Sequence, residues 1–235
     1  GCVTAYLHDG PRRPDATTPG ADLRELPVGR DAWERAIEHN DPTAFMNRAE
    51  LRALVSEEGH SLFGHTHTHQ ACFRSDKPLA AGADSLQSGT RGIYLEMRDG
   101  QPMFPSGPAY AHNGFWPTSN DLLDTSLVAR TTSERIEFGL NEFTLCRERL
   151  EELLGQPSRA MSWPWGEYDS VAIEAALLAG YEVALSMDCG ANQPGTPLFA
   201  LRRVKMQGGV GVRELNRRLC IAKNPLLAGL FRKIY

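Results

Sequence analysis

Phe63-Gly64-His65-Thr66-His67-Thr68-His69 places three imidazoles within five positions, directly behind Ser61-Leu62. Imidazole is the commonest protein metal ligand and titrates near neutrality. His65 and His69 are four residues apart. That spacing puts both on one side of a helical turn, and equally on one face of a strand. Either geometry lets two rings converge on one cation. The plainer readings are a solvent-facing histidine patch or an expression tag. The run is internal and follows an apolar stretch, so the expectation is a metal site with His65 and His69 as ligands. On a helical turn His67 points away, which leaves it a structural role.

Alternation of strands and helices extends outward from this stretch. Cys2–Leu7 reads as a short buried strand, 10–28 as a Pro- and Gly-rich loop, and 30–39 as a short helix. Asn47 caps the next helix with Glu50 closing a capping box, and Gly59 ends it. Leu62–Gly64 then delivers the histidines from a strand end. Ile93, Leu95 and Met97 alternate before Asp99-Gly100, which predicts an inserted hairpin over 92–105. Ser133 is expected to cap a long helix whose apolar stripe runs Ile136, Leu140, Phe143, Leu150, Leu154. A strand over 160–163 follows. Asp169 caps 171–179, strands are expected over 183–186 and 199–204, and helices over 212–221 and 225–235. This order points to a parallel sheet with helices outside it. In a β/α barrel, functional groups gather at the C-terminal strand ends. The histidines follow one strand, and Pro164-Trp165-Gly166 follows another. Pro164 ends its strand by removing a ladder donor, and Gly166 permits a tight turn.

The histidine run fits the pattern histidine, serine or threonine, two variable residues, histidine. In this it resembles the metal motif of the polysaccharide deacetylases, carbohydrate esterase family four with the NodB homology domain. Ala49–Leu54 with Glu58-Gly59-His60 looks like the helix and turn leading into that motif. Trp163-Pro164-Trp165-Gly166-Glu167-Tyr168 resembles the substrate-groove motif of the biofilm poly-N-acetylglucosamine deacetylase branch, and Leu201-Arg202-Arg203-Val204 its late strand. The resemblance covers most of residues 1–206. It implies an α/β fold, a distorted, incomplete (β/α) barrel with an inserted hairpin, with 207–235 as C-terminal helices of the same domain.

The resemblance also implies a chemistry. A divalent ion, zinc, is held by His65, His69 and a carboxylate, and an aspartate base activates water against the N-acetyl group of an amino-sugar polysaccharide. Trp163, Pro164, Trp165, Gly166 and Tyr168 belong to the substrate groove, where indole and phenol faces stack on the C–H faces of sugars. For Trp163 the competing reading is a core residue.

Several departures from the family pattern bear on this. The family's first motif is a strand ending in two aspartates and a glycine, and the nearest stretch here is His8-Asp9-Gly10. In one reading it is a degenerate copy with Asp9 as a ligand. In the other, Val3–Leu7 resembles the family's next strand and the base is expected upstream of Gly1. We read the chain the second way. Ser162 stands where the common form has arginine. No histidine follows His112, so the family's late leucine-x-x-histidine acid motif is absent. His112 itself reads as a loop residue. One alternative function is a non-catalytic carbohydrate-binding or regulatory module with a degenerate site. Another is a phosphate-ester hydrolase on a different barrel, which needs more carboxylate and histidine ligands at other strand ends than the sequence offers.

Composition narrows the partners. A net charge of -4 gives no electrostatic footprint for nucleic acid, and no apolar run approaches a membrane span. Cys2, Cys72, Cys146, Cys189 and Cys220 are scattered and form no framework. Free thiols tilt the expectation toward a cytoplasmic rather than periplasmic setting.

Overall fold

The structure, a computed structural model, describes residues 2–13, 31–32, 35–36, 39–79, 93, 102, 104–112, 114–118, 126–204, 211–224 and 227–228. Most of the loop expected over 10–28, half of the helix expected over 30–39, most of the hairpin expected over 92–105 and most of the helix expected over 225–235 lie outside these residues.

Helix α1 (Arg48–Ser56) starts at the capping box expected for it. The Asn47 side chain accepts from the Glu50 amide, and the Glu50 carboxylate accepts from the Asn47 amide. Glu50 also receives the Arg13 guanidinium at 2.5 and 2.6 Å. Arg13 and these backbone amides hold its carboxyl down to about 2. Next come four three-residue strands: β1 (Ala71–Phe73), β2 (Ser106–Pro108), β3 (Phe115–Pro117) and β4 (Leu127–Ala129). They form an antiparallel sheet in the order β2-β1-β3-β4. No sequence pattern pointed to this sheet. Strands of three residues are too short for a period-2 pattern, and Pro108 and Pro117 read as breakers.

Helix α2 (Thr132–Leu154) begins two residues earlier than expected. Thr131, not Ser133, is the cap. Its hydroxyl accepts from the Glu134 amide while the Glu134 carboxylate accepts from the Thr131 amide. The reciprocal pair satisfies two end donors, which Ser133, inside the first turn, cannot do. Gly155 closes the helix at φ 69°. Beyond it lie β5 (Ala160–Ser162), α3 (Ser170–Leu178, capped by Asp169), β6 (Val183–Cys189), β7 (Leu201–Arg203) and α4 (Val212–Lys223).

A parallel array carries the candidate site. β5 pairs with β6 and β6 with β7, both parallel. Gly64 bridges Met161 of β5 on one side and Cys2 on the other, again parallel. The spatial order is therefore Cys2, Gly64, β5, β6, β7. The strand expected over Cys2–Leu7 is reduced to the single bridge at Cys2. The chain turns away at once because its next donors serve the histidine loop: the Ala5 amide donates to His67 O at 2.9 Å.

The core lies between this array and helices α2 and α3. Tyr110, Phe143, Met161, Trp163 and Tyr181 fill it, with Ala172, Ala175 and Ala176 of α3. A Cβ on Gly139 of α2 would lie 3.0 Å from Ala175 Cβ, so the two helices meet at small residues. The aromatic rings sit edge to face or offset, with Phe143–Trp163 centroids 5.9 Å apart and Phe143–Tyr181 6.4 Å. This is the arrangement that ring quadrupoles favour. Among the described residues no helix is long and apolar enough to cross a membrane.

Candidate functional site

His65 is anchored from both sides of the array. Its amide donates to Cys2 O at 3.0 Å, and the flanking Gly64 is bonded in both directions to Ala160 and Ser162 of β5. Its ring Nδ1 lies 2.7 Å from Ser162 O and 3.0 Å from Ser162 Oγ. A carbonyl only accepts, so Nδ1 carries the proton and Nε2 keeps its lone pair. Gly64 is needed here: a Cβ would approach the Tyr181 hydroxyl to 2.5 Å.

His69 reaches the same place by another route. Neither a helical turn nor a strand face brings the two rings together. Thr66 and His69 both have left-handed backbone, φ 63° and 57°. The loop curls, and the Thr66 hydroxyl accepts the His69 amide at 3.0 Å. The ring centroids of His65 and His69 are 5.0 Å apart. Burial pushes both imidazoles down to about 4, and a hydrogen bond to backbone opposes the shift in each. Both are therefore neutral near pH 7, the form that ligates metals. His67 turns elsewhere and bonds Thr4 Oγ1 at 2.9 Å.

The Trp163–Tyr168 segment separates into two roles. Trp163 is 0% exposed, and its indole N–H donates to Phe199 O at 2.8 Å. It offers no face to a sugar. Pro164 is buried at the first position of a 3-10 turn. Tyr168 stacks on Trp163 at 5.3 Å and packs at the edge of the core. Trp165 is 38% exposed, and its ring lies 4.2 Å from that of His69. Trp165 has φ 54° and Gly166 φ 73°. A Cβ on Gly166 would lie 2.3 Å from Met187 Cγ, so only glycine lets the turn close against β6. Asp9, the alternative ligand, is elsewhere: its carboxylate is 92% exposed and 3.6 Å from Arg48. Among the described residues no third His, Cys, Asp or Glu stands with His65 and His69 as a metal-holding group.

A charged cluster adjoins the same turn. Glu167 receives Arg74 at 3.0 Å on one oxygen and lies 2.6 Å from His112 Nε2 through the other. Asp169 caps α3, accepts the His112 amide and pairs with Arg135. His112 also has positive φ, 59°. Thr66, His69, His112 and Trp165 are thus four of the five non-glycine residues with positive φ among the described residues, Asn40 being the fifth. Strained backbone gathers where function is supported by the surrounding structure. A separate groove of about 260 Å³, lined by Val55, His60, Leu62, Pro157, Ser158 and Val183, opens at the entry ends of β5 and β6, and neither His65 nor His69 lines it.

Sequence reading noted Ser162 only as a departure from the family pattern, and missed its contact with His65 and the whole of Glu142's part. Ser162 is 1% exposed and is the outer contact of His65. Glu142 sits in the buried stripe of α2 with Gly139, Phe143, Cys146 and Leu150, and its carboxylate accepts the Thr68 amide at 2.9 Å. A charged residue in phase with a core stripe was the available signal, since such a group is buried only when it has partners.

No family model matches the chain, and no curated protein matches it. Among solved structures it is similar to a de-N-acetylase from Aggregatibacter actinomycetemcomitans, at 15% identity and a TM-score of 0.52, over 76% of this chain and 55% of that one. The BpsB deacetylase domain from Bordetella bronchiseptica follows, at 18% identity and TM-score 0.49, over 69% of this chain and 50% of that one. The deacetylase PplD from Streptococcus pyogenes gives 18% and 0.33, over 36% and 37%. The chain spans about half the length of the first two. At this identity the likeness establishes a shared mixed α/β fold with the first of these de-N-acetylases.

Proposed function

We propose that the chain is part of a metal-dependent hydrolase that removes N-acetyl groups from an amino-sugar polysaccharide. One observation carries the reading: two neutral imidazoles lie 5.0 Å apart, one against the half-exposed Trp165 ring, at the end of a parallel array. The fold shared with a de-N-acetylase supports it.

The donor set fits a divalent ion in part. His65 donates its Nδ1 proton to a backbone carbonyl, the outer contact that orients ligating histidines and leaves Nε2 for the ion. Imidazole nitrogen suits zinc. A bound ion would supply Lewis-acid polarisation of an amide carbonyl and a lowered water pKa. In this reading the third ligand and the base come from residues outside those described. Trp165 holds a sugar ring by stacking, with the N-acetyl group beside His65 and His69. His67 and Thr4 tie the loop to the first segment of the chain.

A second reading is a carbohydrate-binding module with a degenerate site. It is favoured by the lack, among the described residues, of a carboxylate beside the two histidines. Zinc titration and acetate release from N-acetylglucosamine oligomers separate the two. The 235-residue chain is expected to bind zinc weakly, to lose that binding in H65Q and in H69Q, and to release little acetate by itself. Robust release would mean that a third ligand and a base are already present within these 235 residues. A complete absence of zinc binding would overturn the metal reading and leave the binding module.

A further inference from the structure

Glu142 is 4% exposed, on a helix face otherwise made of Gly139, Phe143, Cys146 and Leu150. A carboxylate there is costly to desolvate unless it is hydrogen-bonded. Its bond leaves the helix altogether and goes to the backbone amide of Thr68, the residue before His69.

The histidine loop explains why that acceptor matters. With Thr66 and His69 in left-handed backbone, the loop joins no ladder, and each amide must find a partner singly. The His65 amide uses Cys2 O, and the His69 amide uses Thr66 Oγ1. The Thr68 amide uses Glu142, a side-chain anchor from outside the loop one residue before His69, while Gln70 O accepts the Ala109 amide one residue after it.

We propose that Glu142 is a positioning residue: by accepting the Thr68 amide it holds the His69 ring against Trp165 and in register with His65. Its effect on metal affinity rests on the metal reading above; its effect on ring position does not.

The test uses the wild-type chain and two variants, E142L, which keeps the bulk without the acceptor, and E142Q, which keeps an acceptor. Three quantities are read: Thr68 amide exchange, the ring-current shift of the His69 ring protons caused by Trp165, and zinc affinity by chelator competition. In the wild type the Thr68 amide is expected to be protected and the His69 protons shifted. E142Q should retain both. A folded E142L should lose the His69 shift and bind zinc roughly 10–100-fold more weakly, the range of such outer contacts. Unchanged His69 shifts and zinc affinity in folded E142L would overturn the proposal. If E142L does not fold, the other two proteins decide: a freely exchanging Thr68 amide in the wild type, or a displaced His69 ring in E142Q with Thr68 still protected, would overturn it. Wild type that binds no zinc, with the ring shifts as expected, would sink the metal reading and leave the Glu142 anchor standing.

Discussion

Two groups of titratable side chains flank the turn that carries Trp165, and they are built on opposite terms. On one side His65 and His69 are held down to about 4 by burial, so they carry no charge near neutrality, and no carboxylate among the described residues joins them as a third donor. On the other side, Glu167 and Asp169 are matched by Arg74, His112 and Arg135. The second group has already spent its charges on one another and joins the antiparallel sheet to α2 and α3. The first has spent hydrogen bonds on orientation and has kept a ring nitrogen of His65 in reserve. Clustered polar residues therefore do not all mean a site. What marks one is orientation without neutralisation.

The largest expected effect tests the floor common to both groups. Trp163→Ala empties the centre of the aromatic core and should cost about 3–5 kcal/mol, read as a lower urea midpoint, with both clusters lost together. A cost below about 1 kcal/mol would mean that Trp163 is not the residue they rest on.

Acid should destabilise the histidine side. His65 and His69 have folded-state pKa values of about 4 against roughly 6.5 unfolded. Between those values the unfolded chain binds more protons, so the stability tied to neutral rings is present above about pH 6.5 and lost as pH falls toward 4. The contribution is on the order of 2–3 kcal/mol per ring at most. His67, lowered by burial, adds to it with the same sign. Glu50, held to about 2, acts only below the ordinary carboxylate range. Melting temperature followed from pH 7 to 4.5 should fall steeply, and the H65Q/H69Q double variant should flatten the curve. Parallel curves would remove the basis of the contrast.

The braced side is tested by Asp169→Ala, which removes the α3 cap and the partner of Arg135. A loss of about 1–2 kcal/mol is expected from the cap, with zinc affinity unchanged. A matching loss of zinc affinity would show that the two groups act as one.

The smallest effect on stability belongs to Trp165→Ala. The ring is 38% exposed in a left-handed residue, so thermal stability should move by under about 1 kcal/mol. Binding of N-acetylglucosamine oligomers, measured by calorimetry, should drop at least tenfold. Intact binding would make Trp165 a cover for His69 and move the groove elsewhere.

Local chemistry was legible before the fold was. Asn47 with Glu50 and Asp169 cap the helices expected of them, because a cap is satisfied within a few residues of chain. Thr131 displaced Ser133 for the same local reason, since only Thr131 has a glutamate three residues on. Strand periodicity failed at Cys2–Leu7 and throughout the antiparallel sheet. Short strands are stabilised by their neighbours, and the neighbours here come from distant parts of the chain, as in Phe73 beside Phe115.

The sequence alone determined the inventory: two imidazoles four residues apart, a Trp-Pro-Trp-Gly turn, and alternating elements able to bring both to one end of a sheet. Tertiary structure decided how they are used. It made Trp163 core and Trp165 surface, because the strand register buries one and the close approach of Met187 to Gly166 turns the other out. It also brought His65 and His69 together through left-handed backbone and contacts from Ser162 and Glu142, residues 97 and 74 positions from their partners. No spacing rule encodes such contacts, because they arise only when separate elements pack.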